Sequence, residues 1–234
     1  MTEEQPRIAV IGTGGTISYL GRDGLDIVRY VETGNIYEVD ELLNAFPETL
    51  DQADVVPVRL RAMPSTMIGP ADWLEIAAKI HELADSDPKI AGIVVTHGTA
   101  TLEETAYFLN LTLKIPFPVV LVGAQRPATG LSTDAGMNLV NAIRTAKDPA
   151  SRGRGVLAVL NDEIHFARDV TKTSTLRLQT FRSRDFGILG HADFDKIAYY
   201  RMPERRRAPD TEFDVRGVTE LPRVDISLSY AGAD

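Results

Sequence analysis

The chain has 234 residues, of which 44% are apolar and 25% charged, with a net charge of −8 and no cysteine. That is material for one large or two small globular domains, and it excludes global disorder, collagen and coiled coil. The negative charge repels phosphate backbones and anionic membranes, and the absence of cysteine removes disulfides, thiolate nucleophiles, Fe–S clusters and Cys-ligated zinc.

The N-terminus is acidic, and the apolar run at 8–11 is too short for an export signal. No stretch approaches the ~18 apolar residues of a membrane helix. A cytoplasmic location is therefore expected, or a periplasmic one where an export signal has been removed. The run Ile8-Ala-Val-Ile11 reads as a strand ending at Gly12. Residues 37–46 read as a helix with Val39, Leu42, Leu43 and Phe46 on one face. A strand follows at 54–58, and Pro57, which cannot donate to a ladder, places it at an edge or a bulge. Pro70 suits a first helical turn, with Trp73, Ala77, Ile80 and Ala84 recurring at helical spacing.

Residues 90–95 are continuously apolar, as in a strand buried on both faces. Thr101 and Glu104 have the spacing of a capping box for a helix to about 113, with Leu102, Ala106, Leu109 and Leu113 inward. A strand at 118–122 follows. Asp134 can then cap a helix to about 147, with Met137, Val140 and Ile143 inward. A fifth strand lies at 156–160. Residues 161–190 are polar and mixed, a stretch expected to cover a site. Residues 205–210 read as a solvated linker. From Val224 to Tyr230 the sequence alternates like the first strand of a further domain.

Five apolar strands separated by helices imply an α/β fold, a mostly parallel sheet with helices on both faces. Such sheets bind ligands beyond the carboxyl ends of their strands. That directs attention to 12–18, 96–101 and 123–134. The turn Gly12-Thr-Gly-Gly-Thr16 lacks the third glycine of a dinucleotide fingerprint, having Ile17, and lacks the lysine of a P-loop. It reads as a plain glycine turn or as a nucleophile loop, with the Thr16 hydroxyl beside glycine amides that can hold an acyl oxygen. Thr99, in Thr96-His-Gly-Thr-Ala-Thr101, lies just before a helix N-terminus, where negative charge is favoured. His81, His97, His165 and His191 have no metal-ligand spacing, and no Gly-x-Ser-x-Gly elbow is present. His81 is expected to be partly exposed. Spacing alone makes Lys172 a surface lysine. No metal and no cofactor are expected.

Four segments together resemble the bacterial-type L-asparaginases and glutaminase-asparaginases: Ile11-Gly-Thr-Gly-Gly-Thr-Ile17, the run Thr96-His-Gly-Thr-Ala-Thr-Leu-Glu-Glu-Thr-Ala-Tyr-Phe-Leu109, Val122-Gly-Ala-Gln-Arg-Pro127, and Asn161-Asp with Arg168-Asp-Val-Thr-Lys-Thr173. The resemblance implies a larger N-terminal α/β domain at 1–220. It makes 221–234 a linker and first strand of a smaller C-terminal α/β domain, apparently truncated. It also implies a homo-oligomer, a dimer of dimers. Thr16 takes the place of the primary threonine, and Tyr30 that of the tyrosine that activates it. Tyr30 lies in a segment bracketed by Gly21, Gly24 and Gly34, which reads as a mobile lid. Ser65 matches a serine holding the substrate's α-carboxylate, and Thr66 adjoins it. Thr99 matches a second threonine, and Lys172 the lysine paired with it. The implied chemistry is hydrolysis of asparagine or a related small carboxylic amide, with ammonia release, through an acyl-threonine or by direct attack of water.

Ala100 departs from the pattern. The family's second motif reads His-Gly-Thr-Asp-Thr, and its carboxylate grips the substrate's ammonium. Losing such a charged hydrogen bond costs about 1.5–3 kcal/mol. A non-catalytic binding protein, or a disabled variant, is therefore the rival to an amidohydrolase.

Overall fold

The computed structural model describes residues 5–229, 231 and 232. The first part of the chain alternates strand and helix: β1 (Arg7–Gly14), α1 (Val39–Ala45), β2 (Asp54–Met63), α2 (Pro70–Ser86), β3 (Ile90–Thr96), α3 (Leu102–Thr112), β4 (Val119–Val122), α4 (Ala135–Lys147) and β5 (Val156–Leu160). Then come five short strands: β6 (Glu163–Phe166), β7 (Val170–Lys172), β8 (Phe181–Ser183), β9 (Gly190–Ala192) and β10 (Ile197–Tyr199).

The main sheet runs β10-β9-β6-β5-β4-β3-β1-β2. Strands β1 to β5 are all parallel. Their side chains alternate between two cores, as a period of two dictates. Ile8, Val10, Val94, Val120, Val122, Leu157 and Val159 pack on one face under α1 and α4. Ala9, Ile11, Ile93, Val95, Leu121, Ala158 and Leu160 pack on the other under α2 and α3. Every one of these residues is almost fully buried, which is why the strands read as continuous apolar runs. Strand β2 is the sheet's edge, so Pro57, opposite Val10, leaves no ladder bond unmade.

Strands 1 to 5 stand in the order 2-1-3-4-5. The chain reverses direction across the sheet between β1 and β3. A crevice opens at such a switch point, outside the carboxyl ends of the two strands. The loops after β1 and β3 are the ones that carry Thr16 and Thr99.

Several expectations need correction. Residues 161–190 are not only a cover. Asn161 and Asp162, both at positive φ (50° and 64°), form the two-residue turn of an antiparallel β5–β6 hairpin. Two further antiparallel strands, β9 and β10, extend the sheet from there. On α4, Met137 is exposed, and the buried face is Asn138, Leu139, Ala142, Ile143 and Ala146. The Asp134 carboxylate does not cap α4 through its side chain. It accepts from Gln125 N, Arg126 N and Asn138 Nδ2 instead, which pins the loop after β4.

His81 is buried, and its Nε2 accepts from Lys114 N. Residues 205–210 are no solvated linker. Ala208 is buried, Ala208 N donates to Asn110 O, and Arg207 Nε donates to Gly153 O, strapping the segment to α3 and its surroundings. Residues 224–229 carry no strand; Val224, Ile226 and Leu228 are at least 80% exposed, and Tyr230 lies outside the described residues. No helix among the described residues is long and apolar enough to cross a membrane.

Candidate active site

Glycine brings three loops into contact at the switch point. Gly14 and Gly15 both have positive φ, 88° and 83°. A Cβ on Gly15 would stand 2.2 Å from the Gly98 Cα, and a Cβ on Gly98 would stand 2.6 Å from Ser65 Oγ. Real Cβ atoms do not approach backbone that closely, so only glycine permits this nesting. Gly15 N also donates to Met63 O, just before Pro64 and Ser65. The loops after β1, β2 and β3 therefore form one wall.

Hydrogen bonds lock the wall. Thr13 Oγ1 donates to Thr96 O. Thr101 was read as a helix cap, but no cap bond forms; its Oγ1 donates to Ser65 O at 2.8 Å. His97 is fully buried, and burial lowers its pKa to about 4, so the ring is neutral. Its Nδ1 lies 2.8 Å from Gly98 O and its Nε2 2.9 Å from Thr105 Oγ1. A carbonyl only accepts, so Nδ1 carries the proton and Nε2 accepts from Thr105. The ring ties the Gly98 peptide to α3.

All seven residues singled out from the sequence line one cavity of about 230 Å³: Thr16, Tyr30, Ser65, Thr66, Thr99, Ala100 and Lys172. Ala124, near the end of β4, does not join them; it is buried in the core beneath α4. Within the cavity the hydroxyls form two pairs. Thr16 Oγ1 and Tyr30 OH are 2.7 Å apart. Lys172 Nζ donates to Thr99 Oγ1 at 2.7 Å. Thr99 and Ser65 are buried, whereas Thr16, Tyr30 and Lys172 are half-buried and Thr66 and Ala100 are exposed.

Tyr30 sits in the 20–34 loop, with its ring 5.7 Å from that of Tyr19. Tyr19 closes the other side of Tyr30, and burial followed by the neighbouring Tyr30 raises the Tyr19 pKa. The loop is tied to 128–131 at a few points only: Gly21 N to Thr129 Oγ1, Leu131 N to Gly24 O, and Ala128 N to Tyr19 O. Leu25, Val28 and Val31 on it are exposed.

Lys172 lies at the end of the two-stranded β7–β8 ribbon. Glu103, in the first turn of α3, accepts from Lys172 N at 2.5 Å and from Thr171 Oγ1 at 3.0 Å. Burial lowers the Lys172 pKa below its ordinary value, and the Glu103 charge partly opposes that. Sequence reasoning missed Glu103. It paired Thr101 with Glu104 in a capping box, but Glu104 is exposed while Glu103 turns toward β7. The signal was the Glu-Glu pair at 103–104, and only the return of β7 to α3 distinguishes the two carboxylates. Among the described residues, no group of three or more His, Cys, Asp or Glu is placed to hold a metal.

Comparison with known proteins places this geometry in a setting. Residues 7–205 match the family model described as Asparaginase, N-terminal. The chain is 45% identical over 228 residues to L-asparaginase 2 of Escherichia coli, covering 97% of this chain and 64% of that protein. It is 42% identical over 228 residues to a probable periplasmic L-asparaginase of Haemophilus influenzae, with the same coverage. The chain thus spans about 64% of the length of these relatives. A crystal structure of a probable cytoplasmic L-asparaginase from Campylobacter jejuni superposes with a TM-score of 0.91 at 40% identity, covering 98% of this chain and 68% of that one.

Proposed function

This chain belongs to the asparaginase family, and from that premise we propose that it hydrolyses the amide of asparagine or of a related small carboxylic acid, releasing ammonia. The observation that carries the proposal is the convergence of two activated hydroxyl pairs, Thr16–Tyr30 and Thr99–Lys172, on one cavity. A hydroxyl is a weak nucleophile until a neighbour accepts its proton. Tyr30 can do that for Thr16 as its own phenolic proton passes on toward the leaving nitrogen. Lys172, when neutral, is placed to do it through Thr99.

In the covalent route the Thr16 oxygen bonds to the amide carbon and the C–N bond breaks. The proton released by the Thr16 hydroxyl passes to the nitrogen, which leaves as ammonia, and water then cleaves the acyl-threonine to the acid and the free Thr16 hydroxyl. In the direct route, water takes the place of the Thr16 oxygen. Ser65 and Thr66 offer hydroxyls to the carboxylate end of the substrate. The functional roles of all seven residues belong to this proposal. So do a homo-oligomeric assembly, a dimer of dimers, and a cytoplasmic location. The proposal also takes 221–234 as a linker leading to a strand of a further domain; the alternation of Val224, Ile226 and Leu228 with polar residues supports it.

Ammonia release from asparagine, glutamine and succinamate is the direct test. Turnover of any one supports the hydrolase. A second reading rests on Ala100, which brings a methyl group where a charged grip on substrate is possible. If none of the three is turned over while one binds, the chain is a binding protein on a hydrolase fold.

Lys172 sets the sign of the pH dependence. If neutral Lys172 is the active form, kcat/KM rises with pH through its pKa, which burial has already drawn below the usual lysine value. Glu103 holds that pKa up by its charge. In Glu103→Gln the limb should therefore move to lower pH, with the fold unchanged by circular dichroism. A limb that stays in place or moves up would show that Lys172 is not the titrating group.

A further inference from the structure

Resting on the amidohydrolase reading, we propose that His165 is a positioning residue for Lys172, acting through Ser183 on the ribbon from which Lys172 reaches Thr99. Among the described residues, β7 and β8 pair with each other and form no ladder with the main sheet. A two-stranded ribbon is at best marginally stable by itself, so its place depends on side chains. Val170 and Phe181 press it onto the core, but apolar contact is non-directional and does not fix where the ribbon lies along the sheet. Hydrogen bonds do. Glu103 clamps β7, Gln125 Nε2 donates to Arg177 O at 3.0 Å in the turn, and His165 Nδ1 meets Ser183 Oγ on β8 at 3.0 Å.

His165 is the tie that comes from the main sheet itself. It lies in β6 opposite Ala158 of β5 and is 0% exposed, so its surroundings are made wholly by this chain. Its Nε2 lies 3.4 Å from Glu163 Oε2, at the limit of a hydrogen bond, and has no better partner among the described residues. That contact lowers the Glu163 pKa, and the other Glu163 oxygen accepts from Gln179 Nε2 at 2.8 Å, a second link to the approach to β8. An ionised carboxylate only accepts, so Nε2 carries a proton. The neutral ring then accepts from the Ser183 hydroxyl through Nδ1, and the charged ring donates to it; the tie holds in both states. Across the ribbon Ser183 pairs with Val170, and Phe181 with Lys172. A shift of β8 therefore carries Lys172 with it. Lys172 Nζ is 2.7 Å from Thr99 Oγ1, and a displacement of about 1 Å from such a geometry can cost about a hundredfold in rate.

A double-mutant cycle on the full-length protein tests this, with the best substrate among asparagine, glutamine and succinamate. We expect His165→Leu to lower kcat at least tenfold, with KM changed less than threefold. In a Lys172→Met background the same substitution should cost less than twofold, because a residue that acts only by placing Lys172 has nothing left to place. A merely structural loss would instead cut both backgrounds by the same factor. His165→Asn, whose side-chain oxygen can accept from Ser183 in the place of Nδ1, should restore kcat to within threefold of the parent. Because His165→Leu is open to misfolding, Ser183→Ala removes the same bond from the ribbon side and should show the same dependence on Lys172. Equal losses in the two backgrounds, or kcat within twofold of the parent in both His165→Leu and Ser183→Ala, overturn the inference while the hydrolase reading stands. If Lys172→Met alone leaves turnover intact, Lys172 is outside the mechanism and the inference falls. If the unaltered protein turns over none of the three amides, the hydrolase reading itself fails, and the inference with it.

Discussion

Thr16→Ala is expected to lower kcat at least a thousandfold on whichever amide proves to be the substrate, with the melting temperature almost unchanged. The two effects separate for a physical reason. Thr16 is half-buried at the start of a short turn, and its hydroxyl bonds to Tyr30 at the cavity wall. Removing a partly solvated hydroxyl of this kind costs about 1 kcal/mol of stability or less. A thousandfold loss in kcat is about 4 kcal/mol of barrier, the scale on which a nucleophile or its equivalent acts.

Tyr30→Phe should show a smaller loss of the same kind, because on the proposed mechanism it removes the group that relays the Thr16 proton and leaves the oxygen of Thr16 in place. Rapid-quench kinetics then divides the two chemical routes. An acyl-enzyme that accumulates in the parent and vanishes in Thr16→Ala identifies the covalent route. A Thr16→Ala enzyme that keeps more than a tenth of the parent kcat removes Thr16 from the mechanism altogether.

The second large effect is non-additivity at Thr99 and Lys172. Thr99→Ala and Lys172→Met should each lower kcat/KM by a hundredfold or more, the usual range for a general base and its relay. The double variant should be no worse than the poorer single one. Lys172 Nζ is bonded to Thr99 Oγ1, so either deletion breaks the same relay, and groups acting as a unit do not sum. Losses that multiply in the double variant would mean that the two side chains act separately. That result would leave the Glu103 clamp on β7 as a structural device alone.

The extent to which the site was legible in the sequence follows from how local each signal is. Thr16 and Thr99 could be found because each follows directly on a strand, and the parallel strand pattern alone points to those loop ends. The partners of those residues are another matter. Lys172 is 73 residues from Thr99, and its own neighbours in sequence are polar and half-exposed. Nothing in its spacing separates it from a surface lysine; only the family resemblance did. Glu103 was visible as a residue and invisible as a clamp, since its contacts lie 68 and 69 residues away on β7.

The misplaced expectations share a cause. Thr101 and Asp134 were read as caps because Ser, Thr and Asp at such positions usually satisfy the nearest free amides. Here each has a better partner outside its own helix: the Ser65 carbonyl for Thr101, and two amides of the β4 loop for Asp134. Met137 was placed inward by periodicity, but the α4 stripe that the sheet covers runs through Leu139, Ala142 and Ile143, of which Ile143 was expected. The antiparallel extension went unread because its strands are three or four residues long, too short for a period of two to register.

The sequence by itself determined the parallel α/β core, its two faces and the two strand ends to which the proposed chemistry is assigned. Burial on both sides writes an unbroken apolar run into each strand, and that run needs no tertiary knowledge to read. The tertiary structure alone decided which glycines nest, which carboxylate holds β7, and which hydroxyls and lysine meet at one cavity. Those facts depend on residues far apart in the chain meeting at distances under 3 Å, and no local pattern encodes such a meeting.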